Sequence, residues 1–477
     1  MQYETVIGLE VHIQLLTNSK LFCGDSAAYG GAPNTHVSPI TLAHPGTLPV
    51  LNKQALAYAV KLGLALGCGI TRHSFFDRKH YFYPDLPKGY QTSQNTNPIC
   101  VGGEVHIKVN GDAVAVPIHH IHLEEDAGKS IHDADDDYTC IDVNRAGVPL
   151  LELVTKPALK SADEAFAFLT ELRKLVRWIG ICDGNMEEGS LRCDANISIR
   201  PVGETKLGTK VEVKNLNSIR NVKRAIEGEV TRQTKILETG GKITQQTRGY
   251  DADSNTSASQ RDKEEANDYR YLTCPDLPPF EVSDNYLEEI KSALPQLPET
   301  LKEKYTQVLQ LPEQDASVLT EEKNFSDYFN DLITHTNHTK AAANWMLGPV
   351  KSWMNDQGKE MNEFPLKANA MASLIELVQS GKVNFSTAAS KIFPAFLAQP
   401  AADVLQLATQ LNVLQDSNED QLSIWIDEVI AKMPDKVTEY KKGKKGLIGL
   451  FVGEVKKISK GKADPQKTTS LLQEKLK

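Results

Sequence analysis

The sequence predicts an α+β fold followed by helical domains, and three observations lead to this class. The first 290 or so residues hold short segments in which polar and apolar residues alternate, separated by glycine, proline and asparagine. This pattern is typical of strands in a sheet with one covered face. Helical spacing of apolar residues occurs between these segments in only a few places. From about residue 295 the helical pattern dominates, so sheet and helices are segregated along the chain.

The strands predicted in the first part lie at 3–15, 104–109, 113–126, 195–202 and 209–216. We expect them to form a mostly antiparallel sheet. The predicted helices cover 53–66, 161–179 and 217–237, and Ser161 with Glu164 has the pattern of a capping box at the start of the second. The polar stretch 247–270 is expected to be a surface loop or a hairpin.

A chain of 477 residues is long enough for about three domains. The change from strand to helical patterns predicts that they cover residues 1–293, 294–404 and 405–477. The last domain is basic, because residues 432–477 hold 13 lysines and 5 acidic residues in a chain with a formal net charge of -9. A lysine-rich helical tail can contact RNA phosphates without reading sequence. A solvated surface is the alternative interpretation.

Several classes of protein are excluded by what the chain lacks. The N-terminus has no signal-peptide pattern, and no run of about 18 apolar residues predicts a membrane span. Seven cysteines are scattered singly, which favours free thiols in a reducing cytoplasm and argues against a zinc cage. We therefore expect a cytoplasmic protein with no membrane contact.

Candidate metal ligands occur on two predicted strands. Glu10 and His12 are two residues apart, so their side chains share one face of a strand and could hold a divalent cation. In HLEEDAGK (122–129), three adjacent acids end another strand, and such charges repel unless solvent or a cation neutralises them. A solvated strand face and an acidic turn remain the alternatives.

A third strand, 191–200, places a polar row on one face and mostly apolar residues on the other. The row contains Arg192, Asp194, Asn196 and Ser198. The strand KVEVKN repeats this arrangement with Glu212 and Lys214 on one face. Such rows could line a polar cleft, or they could be solvent-exposed faces of the strands.

Basic and aromatic residues cluster in DRKHYFYPDLPKGYQ (77–91), where Lys79 and Lys88 lie among tyrosines, two prolines and a glycine. The positive charges of these lysines are suited to binding phosphate. The alternative interpretation is an exposed loop with hydrogen-bonded tyrosines. Acids on several strands together with separate lysines indicate a site for Mg²⁺ and a nucleoside triphosphate. No Walker A, GxGxxG or GxSxG motif is present, so ATP would lie on a sheet face and no nucleophilic triad is expected.

These same segments resemble the GatB family, the B subunits of the aspartyl/glutamyl-tRNA amidotransferases. The matching segments follow the family's order over nearly the whole chain. They are VIGLEVHIQL, KLFCG, HPGTLPVLN, FDRKHYFYPDLPKGYQTSQ, HLEEDAGK, DVNRAGVPLLELVT, MEEGSLRCDANISIRP, KVEVKNLNSI, RDKEEANDYRY, PDLPP, NWMLG and GLFVGEVKKISKGKADP.

The resemblance implies an activity. In this family the B subunit uses ATP and Mg²⁺ to phosphorylate the side-chain carboxylate of Glu-tRNA(Gln) or Asp-tRNA(Asn). Ammonia from the A subunit, which is an amidase, then displaces the phosphate, and a small C subunit completes a heterotrimer. A non-catalytic tRNA-binding adaptor with the same fold is the alternative. An archaeal relative with a large inserted domain is disfavoured, because the helices run directly from 333 to 405.

The resemblance also implies a fold and a set of site residues. The first domain is expected to be a cradle similar to glutamine synthetase, and the helical and tail domains are expected to contact tRNA. Carried over by motif, the metal ligands are Glu10, His12, Glu125 and Glu152, with Asp194 at the cofactor. The residues for phosphate or the ammonia path are Lys79, Lys88 and Lys214, and Arg270 is a further cofactor candidate.

The chain departs from the family at one site. Many members have four cysteines that bind zinc near the start, of the form CxC followed by CPxC. Here Cys23 remains, while Asp25, Ser38 and Thr41 occupy the other positions. We therefore predict no structural zinc and expect packing of residues 33–49 to hold this region.

Overall fold

The structure is a computed structural model that describes residues 2–132, 135, 137–262, 269–415, 419–459 and 462–477. It divides into two compact units, Met1–Leu297 and Pro298–Lys477. The α+β class is confirmed, because the strands occur in the first unit and the second unit is helical. The finer boundaries at 293/294 and 404/405 stay predictions.

The strands of the first unit are numbered in chain order. They are β1 Tyr3–Gln14, β2 Gly69–Ile70, β3 His73–Ser74, β4 Asp77–His80, β5 Tyr90–Ser93, β6 Cys100–Val101, β7 Glu104–Val109, β8 Asp112–Glu125, β9 Lys129–Ile131, β10 Cys140–Asp142, β11 Pro149–Thr155, β12 Leu191–Pro201, β13 Val211–Leu216, β14 Gln246–Asp251, β15 Thr256–Asp262, β16 Leu272–Thr273 and β17 Phe280–Glu281. Its helices are α1 Lys53–Ala65, α2 Ala162–Trp178, α3 Ile219–Glu238 and α4 Asp284–Ser292.

One ten-stranded sheet organises the first unit. Its order is β15-β14-β13-β12-β1-β11-β8-β6-β2, with β7 paired to β8. Neighbouring strands are antiparallel except β13 and β14, which are parallel and joined through α3. The expectation of a mostly antiparallel sheet is thus confirmed, and β1 near the N-terminus lies in its middle.

The sheet has one apolar and one polar face. Along β1, residues such as Leu9 and Val11 are fully buried, while Glu10 and His12 alternate with them and are partly accessible. Helices α2 and α3 pack against each other and against strands of the sheet. Because alternate side chains of a strand point to opposite faces, this arrangement leaves the carboxylates on the side away from the core.

The predicted helices of the first unit are confirmed with small shifts at their ends. At the start of α2, the Ser161 hydroxyl accepts a hydrogen bond from the Glu164 amide at 3.1 Å. The Glu164 carboxylate accepts from the Lys160 amide and not from Ser161, so only half of the expected capping box forms. Strands β14 and β15 form the hairpin expected within 247–270, of which residues 263–268 lie outside the described part.

The second unit is a set of short helices. They are α5 Pro298–Glu303, α6 Glu313–Leu319, α7 Lys323–Leu332, α8 Thr339–Trp345, α9 Lys351–Gln357, α10 Ala368–Gln379, α11 Phe385–Thr387, α12 Phe393–Ala398, α13 Val404–Gln410, α14 Glu419–Lys432, α15 Pro434–Lys441, α16 Ile448–Ile458 and α17 Pro465–Lys475. Helical turns of π type at Lys304–Val308, Met346–Val350 and Ala388–Ile392, and of 3₁₀ type at Met361–Glu363 and Lys445–Leu447, complete them.

The last four helices share a hydrophobic cluster of their own. Its buried members include Leu422, Ile426, Phe451, Val455 and Leu472. Lys441 ends α15, and Lys442, Lys444 and Lys445 follow it in the segment before α16; all four are exposed. None of the described helices combines the length and apolar character that crossing a membrane requires.

Candidate functional site

The polar face of the sheet brings candidate residues from five strands together. On β1, His12 lies opposite Glu152 of β11 and Arg192 of β12, and Glu10 lies opposite Asp194 of β12. Strand β8 adds residues beside β11, and β13 adds residues beside β12. The strand register therefore converts residues far apart in sequence into one continuous surface.

One group, here called the histidine cluster, consists of His12, Glu124 and Glu152. Their potential ligand atoms all lie within 4.8 Å of one another. The Nε2 atom of His12 is 3.2 Å from Glu152 Oε2 and 3.9 Å from Glu124 Oε1. His122 supports the group, since its Nε2 atom is 3.2 Å from Glu124 Oε2. A nitrogen and two carboxylates form a donor set suited to a divalent cation.

A second group, here called the acidic cluster, consists of Glu10, Asp194 and Glu212, and it meets the same distance limit. Lys214 Nζ donates to Asp194 Oδ2 at 2.6 Å and lies 3.3 Å from Glu212 Oε1. Asn196 Nδ2 donates to Glu10 Oε1 at 2.8 Å. Within the described part of the chain, these two clusters are the groups of three or more His, Cys, Asp or Glu residues close enough to hold a metal ion.

The electrostatics of the two clusters show crowded negative charge. Burial, followed by the Glu152, Glu212 and Asp194 carboxylates, raises the pKa of Glu10 above its ordinary value. For His12, burial alone would lower the pKa, but its hydrogen bond with Glu152 raises it. Burial of Glu152 is outweighed by His12 and His122, so the pKa of Glu152 is lowered. A cation placed here would relieve the repulsion among these carboxylates.

A cavity of about 580 Å³, here called the polar cavity, lies over both clusters. Lys79, Tyr83 and Tyr269 line it together with residues of the sheet. The Lys79 ammonium is largely buried, which alone would lower its pKa, but Glu124 and other neighbours raise the pKa instead. The polar cavity thus has carboxylates on the sheet, three lysines and aromatic rings.

Lys88 and Glu125 lie in a different place. They line a cavity of about 260 Å³, here called the lysine cavity, to which Lys20, Cys23 and Thr41 also contribute. The Lys88 ammonium donates to the Glu125 carboxylate and to Thr92 Oγ1 at 3.2 Å. The Thr92 amide also donates to Glu125 Oε1 at 2.8 Å. Glu125 is a partner of Lys88 and belongs to neither cluster, whereas the resemblance groups it with Glu10, His12 and Glu152.

The structure therefore unites most of the predicted residues and separates three of them. Glu10, His12, Lys79, Glu152, Asp194 and Lys214 line the polar cavity. Lys88 and Glu125 line the lysine cavity, and Arg270 is exposed, with its backbone oxygen accepting from His80 Nδ1 at 2.9 Å. Glu124 and Glu212 complete the clusters. Strand alternation carries a signal for Glu124, because Glu124 and His122 share one strand face and Glu125 points to the other.

The four positions at which many family members have cysteines come together. The Asp25 carboxylate accepts hydrogen bonds from the Ser38 amide at 2.8 Å and from the Thr41 hydroxyl. Cys23 Sγ lies 3.5 Å from Thr41 Oγ1. Hydrogen bonds thus join the residues at these positions, while the absence of zinc from the protein stays a prediction.

Comparison with known proteins places this chain in one class of enzyme. Residues 5–288 match the model of the GatB/GatE catalytic domain, and residues 327–476 match that of the GatB domain. The chain is 46% identical over 472 residues to the B subunit of the aspartyl/glutamyl-tRNA(Asn/Gln) amidotransferase of Thermodesulfovibrio yellowstonii, covering 99% of each chain.

Two further relatives bear the same name. The protein of a Thermoanaerobacter species is 45% identical over 476 residues and that of Hydrogenovibrio crunogenus is 45% identical over 478, with 100% of each chain covered in both cases. The chain belongs to the GatB family of amidotransferase B subunits.

Proposed function

We propose that this chain is the subunit that phosphorylates the side-chain carboxylate of misacylated Glu-tRNA(Gln), Asp-tRNA(Asn) or both, and that amidates the product with ammonia from a partner. The observation that carries the proposal is the pair of carboxylate clusters on one sheet face beneath a lysine-lined cavity. The names of the relatives, which are amidotransferases acting on these tRNAs, support the same activity.

Mg²⁺ would be held by the histidine cluster and the acidic cluster. Their residues fit it, because five of the six are carboxylates and the pKa of Glu10 is raised partly by its neighbours' negative charge. When bound, the metal would neutralise phosphate charge as the γ-phosphoryl group moves. Glu10, His12 and Glu152 keep the metal-binding roles that the resemblance implied. Asp194, expected at the cofactor, joins the metal ligands together with Glu124 and Glu212.

Two of the three lysines that line the polar cavity, Lys79 and Lys214, would hold anionic groups. Burial alone would lower the pKa of each ammonium, but neighbouring acids outweigh it and raise the pKa of Lys79 and of Lys214, which favours the charged form. In the first step an oxygen of the amino acid's carboxylate bonds to the γ-phosphorus and the bond to ADP breaks. In the second step ammonia attacks the acyl carbon, phosphate leaves and the nitrogen loses a proton. Fixed cations stabilise the charge spread over the phosphoryl oxygens.

Ammonia would arrive from the A subunit, an amidase, with a small C subunit completing a heterotrimer. The lysine cavity is the candidate path for ammonia, because its pair Lys88 and Glu125 lies beside the histidine cluster in the chain. Glu125 ends β8, and Glu124 of the histidine cluster is the residue before it. Arg270 stays a candidate for contacts with the nucleotide outside the cavity. The exposed lysines of the basic tail would bind the tRNA backbone.

The proposal is tested with the assembled amidotransferase, supplied with ATP, Mg²⁺ and mischarged tRNA. Ammonium chloride replaces glutamine as donor, so that the amidase reaction is bypassed. We expect Glu152→Gln to abolish amidation and phosphate release, while the exposed Glu104→Gln behaves as wild type. Full activity of Glu152→Gln with ammonium would overturn the metal assignment. Binding of tRNA without any ATP turnover by the wild type would support the adaptor alternative instead.

A further inference from the structure

A row of three histidines leads along β8 from solvent to the histidine cluster. His119 is exposed, His120 is half-buried and His122 is buried. The Nδ1 atom of His119 lies 2.7 Å from Nδ1 of His120, and Nε2 of His120 lies 3.1 Å from Nδ1 of His122. The Nε2 atom of His122 then lies 3.2 Å from Glu124 Oε2. The row therefore ends on a carboxylate of the candidate metal site.

The pairing of β8 with β11 explains why all three rings meet. Alternate residues of a strand share a face, so His120, His122 and Glu124 point the same way. His119 would point to the other face, but the register between the two strands shifts there and skips it. An unpaired extra residue of this kind is a β-bulge, which re-aims a side chain. The bulge thus brings the exposed ring of His119 to the half-buried ring of His120.

The two nitrogens of the His122 ring have different partners. Its Nε2 atom lies between two carboxylates, 3.2 Å from Glu124 Oε2 and 3.8 Å from Glu152 Oε2, so this nitrogen carries hydrogen and donates. Its Nδ1 atom meets His120, for which burial and the neighbouring histidines lower the pKa to about 4. A neutral imidazole has one donor and one acceptor nitrogen. His120 therefore satisfies His122 Nδ1, and the His122 ring is held on both sides.

The two oxygens of the Glu124 carboxylate also have different neighbours. Its Oε2 atom accepts hydrogen bonds from His122 Nε2 and from Ser93 Oγ, both at 3.2 Å. Its Oε1 atom faces His12 and lies 3.9 Å from the Nε2 atom of that ring. The two donors on Oε2 fix the carboxylate while Oε1 is directed into the histidine cluster. Groups that orient a metal ligand in this way tune the affinity for the ion.

We infer that His122 is a positioning residue for the metal ligand Glu124, and that His120 supports His122 from its other nitrogen. The Nε2–H group of His122 holds one carboxylate oxygen and leaves the other to the cation. His120 keeps the His122 ring from turning away. The inference rests on the proposed function, in which the histidine cluster binds Mg²⁺, and it adds to the ligands the residues that hold one of them in place.

The test replaces His122 with each of the two amides. A glutamine amide reaches about as far as Nε2 of histidine and an asparagine amide only as far as Nδ1, so only His122→Gln keeps a donor at Glu124. Mn²⁺, which carboxylates bind as they bind Mg²⁺, is titrated into the full-length chain and followed by electron paramagnetic resonance. We expect His122→Asn to weaken one bound ion by about 10–100-fold and His122→Gln to stay close to wild type. The same two substitutions at the exposed His106 are the matched control.

The acidic cluster serves as an internal check on folding. It contains neither His122 nor Glu124, so the ion bound there should keep its affinity in every variant. In the assembled amidotransferase, His122→Asn should raise the Mg²⁺ concentration that half-saturates phosphate release and change kcat at saturating Mg²⁺ little, because Glu124 is still present. His120→Phe keeps a ring without nitrogens and should weaken the same ion less than His122→Asn does.

Several outcomes would overturn these roles. His122 has no positioning role if His122→Gln and His122→Asn lose the same affinity for Mn²⁺, if neither loses any, or if the wild type binds no Mn²⁺. Wild-type affinity in His120→Phe would overturn the role of His120. A wild type that shows the difference between the two amides but releases no phosphate from ATP would instead contradict the proposed function.

Discussion

Glu124 and Glu125 are consecutive residues of β8, yet they belong to different sites. The Glu124 carboxylate faces His12 and accepts a hydrogen bond from Ser93 Oγ at 3.2 Å, whereas the Glu125 carboxylate pairs with Lys88. Alternation along one strand thus separates a candidate metal ligand from a candidate residue of the ammonia path by a single peptide unit.

The two glutamates should therefore have separable functions. We expect Glu124→Gln to lower Mg²⁺-dependent phosphate release by more than about 100-fold, because losing a direct ligand costs more than losing an outer partner. Glu125→Gln should keep ATP and Mg²⁺ binding but lower glutamine-dependent amidation. The measurements are phosphate release and Mg²⁺ titration of the assembled enzyme. Equal loss of Mg²⁺ affinity in both variants would contradict the separation.

Asp126, the next residue, should matter for stability. Its carboxylate is buried and accepts hydrogen bonds from Arg192 Nη2 and Gln14 Nε2, both at 2.7 Å. Asp126→Asn should cost about 2–3 kcal/mol of unfolding free energy, since a charge-assisted pair is lost. A double-mutant cycle with Arg192→Ala, followed by urea unfolding, measures the coupling. Additive effects of the two substitutions would rule the pair out as the cause.

The same carboxylate predicts a dependence of stability on pH. Burial would raise the pKa of Asp126, but Arg192 and Arg145 outweigh it and lower the pKa. The stabilisation by Asp126 is therefore complete above the pKa of an aspartate in the unfolded chain, near 4. It is lost as the pH falls through the lower pKa of Asp126 in the folded protein. Wild type and Asp126→Asn should differ at pH 7 and converge in acid. A stability difference that stays constant down to pH 2 would contradict this.

The cluster around Asp25 predicts that zinc can be restored. Metal analysis of the purified wild type should find zinc well below one per chain. A variant with Asp25→Cys, Ser38→Cys and Thr41→Cys should take up about one zinc per chain, because these positions already lie next to Cys23. A variant with only Asp25→Cys is the control and should bind zinc poorly. Stoichiometric zinc in the wild type would contradict the prediction.

The exposed lysines of the tail should bind RNA through charge alone. Replacing Lys441 and Lys442 with alanine should weaken tRNA binding and reduce its salt dependence, by about 0.7–0.9 in the logarithmic slope per lost phosphate contact. Glutaminase activity of the complex should not change. Lys242→Ala, at an exposed lysine of the first unit, is the control. An unchanged slope in the double variant would mean that these two lysines do not contact the tRNA.

Much of this fold could be predicted from periodicity, because alternation in segments such as 3–15 and 191–200 reflects one covered face. The pairing of β1 with both β11 and β12 could not be predicted from periodicity, because strand order depends on packing between distant segments. The same limit applies to the site. His12 and Glu152 were expected as ligands, but Glu212 joins Glu10 only because β13 lies beside β12. Glu125 was carried over as a metal ligand from the family motif, and its side chain instead pairs with Lys88.

The central position of β1 has a consequence for synthesis. Glu10 contacts Asn196, which follows it by 186 residues. At a ribosome rate of about 5–20 residues per second, this first-made strand waits roughly 10–40 s for that neighbour. Until β12 is made, the apolar side chains of β1 are not fully buried and one of its edges has no strand to pair with. The nascent chain therefore exposes a segment prone to aggregation. Chaperone capture of the growing polypeptide should therefore concentrate on β1.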